Sequence, residues 1–130
     1  MIVDTSALLA ILFDEPESSR FLKAIHLDLH RFISAGSMLE AGIVVESALG
    51  SNGVLRLHSL VQELELSIVP VTSELVEAGL EGFRKYGKGR HRASLNFGDC
   101  FSYGLARTTG EPLLYKGNDF GLTDIHTVPG

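Results

Sequence analysis

The sequence predicts an α/β domain in which a parallel sheet carries helices on both faces, and three observations lead there. Short apolar runs recur at residues 1–3, 31–35, 67–71, 113–115 and 125–128, and stretches of helical spacing separate them. Such alternation is the pattern of parallel strands joined by right-handed crossover helices. The first run is too short and too apolar for a surface strand and ends abruptly in Asp4, which places a carboxylate at the carboxyl end of an interior strand. A chain of 130 residues, 45% hydrophobic, can bury one good core and has no room for two, so residues 1–130 are expected to form one domain.

The elements follow in order. Residues 8–13, from Leu8 to Phe13, read as a short buried helix. Pro16 and Glu17 stand where a second helix begins, over 18–25, because proline is compatible with a first helical turn. His26, Asp28 and His30 lack metal-ligand spacing and read as loop. After the second strand, Gly36 and Ser37 open a helix reaching about residue 49. Ser37 would be its N-cap and Glu40 would sit at the third helical position, a capping-box arrangement. The same geometry sets Glu40 just beyond a strand end and close to Asp4, so capping and chemistry both remain open for it. The run Gly50-Ser51-Asn52-Gly53 breaks the chain before a helix over 54–65, which has Leu57, Leu60, Val61 and Leu64 on one stripe.

The third strand contains Pro70, which has no amide hydrogen and therefore belongs at a sheet edge. Ser73 is expected to cap a helix over 74–86. Beyond it Arg84, Lys85, Lys88, Arg90 and Arg92, joined by His91, surround Gly87 and Gly89 and form the one concentration of positive charge. Either a solvated turn or a phosphate-facing loop would look like this. Leu95-Asn96-Phe97-Gly98-Asp99-Cys100 leads into a helix ending near 107, with Asp99 in the first turn, where the helix dipole favours a carboxylate. A turn over 109–112 precedes the fourth strand, and Lys116 to Phe120 occupy that strand's carboxyl end. The fifth strand is expected at 125–128.

The formal net charge of -5 argues against passive coating of nucleic acid, which is driven by Lys and Arg. It leaves open an enzyme acting on nucleic acid, because carboxylates that hold divalent ions count as negative in the formal sum. A single cysteine, Cys100, excludes an internal disulfide. The first residues carry no basic segment followed by an apolar run, and no apolar run is long enough to span a bilayer. A soluble, cytoplasmic protein is the expectation.

Asp4, Glu40, Asp99 and Asp119 each follow a strand or open a helix on the inferred functional side. Four acids in one crevice repel one another and raise their pKa values unless positive charge intervenes. With the lysines and arginines placed elsewhere, Mg²⁺ or Mn²⁺ is the natural neutraliser, since these hard ions prefer oxygen ligands. Zinc fits less well, because the one cysteine stands alone and no histidine pair has ligand spacing. An all-carboxylate site suits phosphodiester hydrolysis: it can lower the pKa of a bound water and stabilise charge on a phosphoryl oxygen.

The ordered set Asp4-Thr5-Ser6, Ser37-Met38-Leu39-Glu40, Leu95-Asn96-Phe97-Gly98-Asp99-Cys100 and Lys116-Gly117-Asn118-Asp119-Phe120 closely resembles the PIN-domain nucleases, specifically the VapC-type toxins of bacterial toxin–antitoxin pairs. The resemblance covers essentially the whole chain. It implies a compact α/β/α sandwich around a five-stranded parallel sheet and a metal-dependent endoribonuclease. It also implies a homodimer held inactive by a VapB-like antitoxin. By likeness Asp4, Glu40 and Asp99 match the metal-binding acids, Asp119 matches a fourth acid of more variable role, and Ser6 matches the small hydroxyl residue that supports the site. Many relatives carry a second Asp where this chain has Asn118, which removes one charge and weakens any metal role there. The Arg84–Arg92 segment resembles a basic loop at the active-site rim, whose expected partner is RNA phosphate.

Four other readings compete. A phosphatase of the haloacid-dehalogenase kind would want an Asp at position 6, where this chain has Ser6; a phosphotransfer receiver would want a late lysine, which Lys116 weakly imitates. A degenerate PIN-like module would only bind RNA or the antitoxin. A dinucleotide-binding role lacks the glycine-rich fingerprint after the first strand.

Overall fold

The computed structural model describes residues 1–129. Its centre is β1 (Ile2–Val3), whose residues are fully buried. β2 (Phe32–Ser34) pairs with β1 on one side and β4 (Leu113–Leu114) on the other, while β3 (Ser67–Val69) pairs with β2. All pairings are parallel and the order is β3-β2-β1-β4. β3 thus occupies an edge and ends immediately before Pro70, as a residue without an amide hydrogen requires.

The sheet has four strands among the described residues, not five. The segment expected to be the fifth, 125–128, makes one parallel bridge, Thr127 to Leu113. Leu113 N–H donates to His126 O and Val128 N–H donates to Leu113 O, each at 2.9 Å. Bends over 123–125 keep the backbone off the extended path before that contact, and Pro129 beyond it has no donor with which to continue a ladder.

Strand alternation distributes side chains to two cores. Val3, Ile33 and Leu114 pack into one with α1 (Thr5–Leu12), α2 (Ser18–Leu27) and α3 (Ala35–Glu63). Ile2, Phe32 and Leu113 pack into the other with α4 (Ser73–Tyr86) and α5 (Phe97–Thr109). The result is a sandwich of helices, sheet and helices, as the alternation of elements predicts.

The helix starts differ from expectation in instructive ways. Asp4 caps α1, which begins at Thr5 rather than near Leu8. Ser34, not Ser37, caps α3, and Thr72, not Ser73, caps α4 through a 3.2 Å hydrogen bond from Leu75 N–H. The break expected over 50–53 falls at Gly50, whose φ of 72° and ψ of -167° are not helical and divide α3 into two helical arms across a kink. Strand order reverses direction between β1 and β4, and in open parallel sheets the crevice beyond such a switch point is where ligands bind.

Candidate active site

Asp4 stands at the carboxyl end of β1, at the switch point, and is only 4% exposed. Its Oδ2 accepts from Ser6 N–H at 3.0 Å and from Ser6 Oγ at 2.7 Å, and its Oδ1 accepts from Ser102 Oγ at 2.5 Å. Capping and orientation coincide here: the cap geometry aims the carboxylate, and the hydroxyls hold it. Ser6 Oγ in turn accepts from the backbone N–H of Lys116 at 2.9 Å, tying the loop after β4 to the acid after β1.

Glu40 and Asp99 come from α3 and α5, which cross closely because glycines face them. A Cβ on Gly36 would run into the Phe101 ring, and one on Gly98 would run into Glu40 Oε2. The Glu40 carboxylate therefore rests across the backbone of Gly98, next to Asp99. Glu40 does not cap its own helix, since the cap there is Ser34. The capping box lies instead at the start of α5: Asn96 Oδ1 accepts from Asp99 N–H at 2.9 Å, and Asp99 Oδ2 accepts from Asn96 N–H at 3.0 Å.

Burial pushes the Asp99 carboxyl up to about 6 against the relief given by the Asn96 N–H, and the negative charges of Asp4, Asp119 and Glu40 add to the rise. All four acids singled out in the sequence thus lie within electrostatic reach of one point. They do not form a closed ligand set: among the described residues, no three His, Cys, Asp or Glu side chains stand close enough together to hold one ion. Asp99 is engaged with its cap, and Asp119 and Asn118 are exposed on the loop between β4 and a short 3-10 helix, Phe120–Leu122. Lys116 does not neutralise the acids. Its ammonium is directed to Glu15 and to Glu17, the latter at 3.1 Å.

The basic segment forms a compact loop closed by a parallel bridge between Gly87 and Leu95. Arg84 and Lys85, in the last turn of α4, both reach Glu81, at 3.4 and 3.8 Å. Lys88, Arg90 and Arg92 are exposed, with the Arg90 guanidinium 5.4 Å from the centre of the Phe83 ring. Within the loop, His91 Nδ1 accepts from Ala93 N–H at 3.0 Å.

Sequence reasoning missed Ser102 and the role of Gly98, and it read Ser37 as the N-cap of α3, where the structure has Ser34. The signal available for Ser102 was a small hydroxyl residue among large or apolar neighbours on the buried side of a helix, in Phe101-Ser102-Tyr103-Gly104-Leu105-Ala106, one turn after an acid.

Comparison with known proteins agrees with the fold. The PIN domain family matches residues 1–125. Ribonuclease VapC30 of Mycobacterium tuberculosis is 48% identical over 128 residues, covering 98% of each chain. Ribonuclease VapC of Mycolicibacterium smegmatis is 46% identical over 128 residues, covering 98% of this chain and 99% of its own. Among solved structures, the M. tuberculosis toxin VapC20, described as cleaving the sarcin-ricin loop, superposes with a TM-score of 0.77 at 16% identity, covering 98% of this chain and 97% of that one. A toxin–antitoxin complex from Klebsiella pneumoniae superposes with a TM-score of 0.69 at 14% identity, covering 98% of both chains. The chain belongs to the PIN-domain family, among its VapC ribonucleases.

Proposed function

We propose that this VapC-type ribonuclease is an endoribonuclease toxin that hydrolyses RNA phosphodiester bonds with Mg²⁺ or Mn²⁺ held by Asp4, Glu40, Asp99 and Asp119. The observation that supports the reading is the gathering of four carboxylates at one crevice, where burial first, and then the charges of Asp4, Asp119 and Glu40, raise the Asp99 carboxyl to about 6. A site of that kind accumulates negative potential that a cation relieves. The donor set fits a hard ion: it is all carboxylate, and the neighbouring lysine is committed to Glu15 and Glu17. When bound, such an ion supplies a nucleophile at neutral pH and offsets charge developing on the phosphoryl oxygens.

The chain's own residues do the rest. Ser6 and Ser102 orient Asp4, Gly98 leaves room for the Glu40 carboxylate, and the cap holds Asp99 at the mouth of the crevice until a ligand competes for it. Lys88, Arg90 and Arg92, with Arg84 and Lys85 behind them, would meet RNA phosphates at the rim. Asn118 would contribute polarity rather than charge beside Asp119.

A homodimer and a VapB-like antitoxin are the partners we assign. Exposed Leu39, Ile43 and Leu55 on α3 support apolar contact, and a groove of about 710 Å³ runs between the two arms of the kinked helix and β3. No described helix is long and apolar enough to cross a membrane, and we place the protein in the cytoplasm with its RNA.

The test is cleavage of RNA by the purified protein with Mn²⁺, with EDTA, and by Asp99→Asn, followed by mapping of the new ends. Cleavage should require the cation, vanish in the variant, and leave a 5'-phosphate and a 3'-hydroxyl. A 2',3'-cyclic phosphate as primary product, or undiminished cleavage in EDTA, would overturn the reading.

A further inference from the structure

Beneath the acids lies a buried chain of hydroxyls. Ser37 and Ser102 are both fully buried, and their oxygens are 3.3 Å apart across the α3–α5 crossing. Ser102 has a single proton, and it donates that proton to Asp4 Oδ1. Ser37 must therefore be the donor in the serine pair, which gives a directed relay from Ser37 to Ser102 to Asp4. Chains of this kind polarise one another, so the last bond gains from the first. The start of α1 closes the other side, where Thr5 Oγ1 donates to the carbonyl of Ser37 at 3.0 Å.

The placement of these serines follows from helical spacing. Ser37 precedes Glu40 by three residues on α3, and Ser102 follows Asp99 by three on α5, so each serine sits one turn from an acid on the same helix face. The pair joins the two helices that carry Glu40 and Asp99 and, in the same contact, holds the acid of β1. With Ser6 N–H and Oγ on Oδ2 and Ser102 on Oδ1, the Asp4 carboxylate plane is fixed from both sides.

We infer that Ser102, backed by Ser37, is a positioning residue that presets the Asp4 carboxylate, and its distance from the α3 and α5 acids, for the divalent cation. This rests on the metal role proposed above. Ligand-orienting partners one layer behind a metal site are worth roughly 10- to 100-fold in metal affinity.

The experiment is Mn²⁺ titration of the RNA-free protein by calorimetry, with thermal melting of the metal-free form, for wild type, Ser102→Ala, Ser37→Ala and Asp99→Asn. Ser102→Ala should weaken Mn²⁺ binding by about tenfold or more, and Ser37→Ala by less, because Ser102 can still donate to Asp4. A lower melting temperature for folded Ser102→Ala with Mn²⁺ affinity unchanged would mean that the hydroxyl is merely structural and would overturn the inference. Loss of binding in Asp99→Asn alone would do the same while leaving the metal site standing. Wild-type binding by Asp99→Asn would remove the metal site itself, and the relay's role with it. Should Ser102→Ala fail to fold, Ser37→Ala decides, and wild-type affinity there rejects the relay.

Discussion

Asp4, on the inner wall of the crevice, is 4% exposed and receives three hydrogen bonds from Ser6 and Ser102, whereas Asp119, on the rim, is exposed on a loop. The basic loop, proposed above to meet RNA at the rim, adds to the contrast: Lys88, Arg90 and Arg92 are exposed and make no ion pair among the described residues. A wall whose groups are fixed before a ligand arrives loses no ordering entropy at the moment of reaction, which is the setting for charge stabilisation. A rim of long flexible cations suits capture of a phosphate backbone whose position varies. Substitutions in the wall should therefore change turnover, and substitutions on the rim should change affinity.

The wall gives the largest expected effect. Asp4→Asn keeps a good helix cap, because Asn accepts from the Ser6 N–H as Asp does, yet it removes the innermost charge. We expect kcat/KM on RNA to fall by about 10³-fold or more, the equivalent of several kcal/mol of lost charge stabilisation. Circular dichroism should show retained folding, and residual activity above a tenth of wild type would break the contrast.

Gly98→Ala sharpens it. The new Cβ would meet the far end of a flexible side chain, Glu40 Oε2, so the fold should lose less than about 1 kcal/mol while the carboxylate moves aside. Turnover should drop by about 10- to 100-fold with KM little changed, the pattern of a lost positioning contact. A variant with normal kcat would show that Glu40 need not rest against α5.

How far these residues could be read without coordinates depends on whether their signal is local. Asp4 was legible because a carboxylate that ends a buried apolar run is costly to desolvate and must meet polar partners or a cation there. The strand edge was legible from Pro70. The capping box was misplaced because Ser37-x-x-Glu40 and Asn96-x-x-Asp99 fit the same pattern. Only the contact between Ser37 and Ser102, 65 residues apart, draws Ser37 inside and leaves capping to Ser34. The fifth strand failed for a similar reason. Ile125 to Val128 has strand-forming residues, but the bends before it and Pro129 after it limit pairing to one bridge. Close approaches such as Gly98 to Glu40 are properties of the helix crossing and have no counterpart along the chain.

On the rim, Lys88→Ala, Arg90→Ala and Arg92→Ala should each raise KM for RNA a few-fold and leave kcat near wild type. Each should also reduce the slope of log affinity against log salt by about 0.7, the value for one single-strand phosphate contact. Arg84→Ala should do less, because its guanidinium already shares Glu81 with Lys85. Equal effects from all four would mean that loop exposure does not select the phosphate contacts, and lost kcat at Arg90 would move that residue into the wall.

The smallest effect concerns stability, and its sign separates wall from rim without any RNA. The folded-state pKa of Asp99 lies at about 6, above its ordinary 3.8, so the fold favours the protonated form. The stabilisation tied to that proton is fully present below about pH 3.8 and is lost as pH rises through about 6. Metal-free Asp99→Asn carries no charge to desolvate and should melt higher than wild type at pH 7.5, by on the order of 1 kcal/mol once solvent screening of a partly exposed group is allowed for. The difference should vanish near pH 4 and shrink when Mn²⁺ is added to wild type, since the cation displaces the proton and stabilises the native state by mass action. Neutralising Asp119 to Asn on the rim should move the melting temperature less, because exposed charge is screened. If the two variants shift it equally at every pH, burial is not what distinguishes the two sides of the crevice.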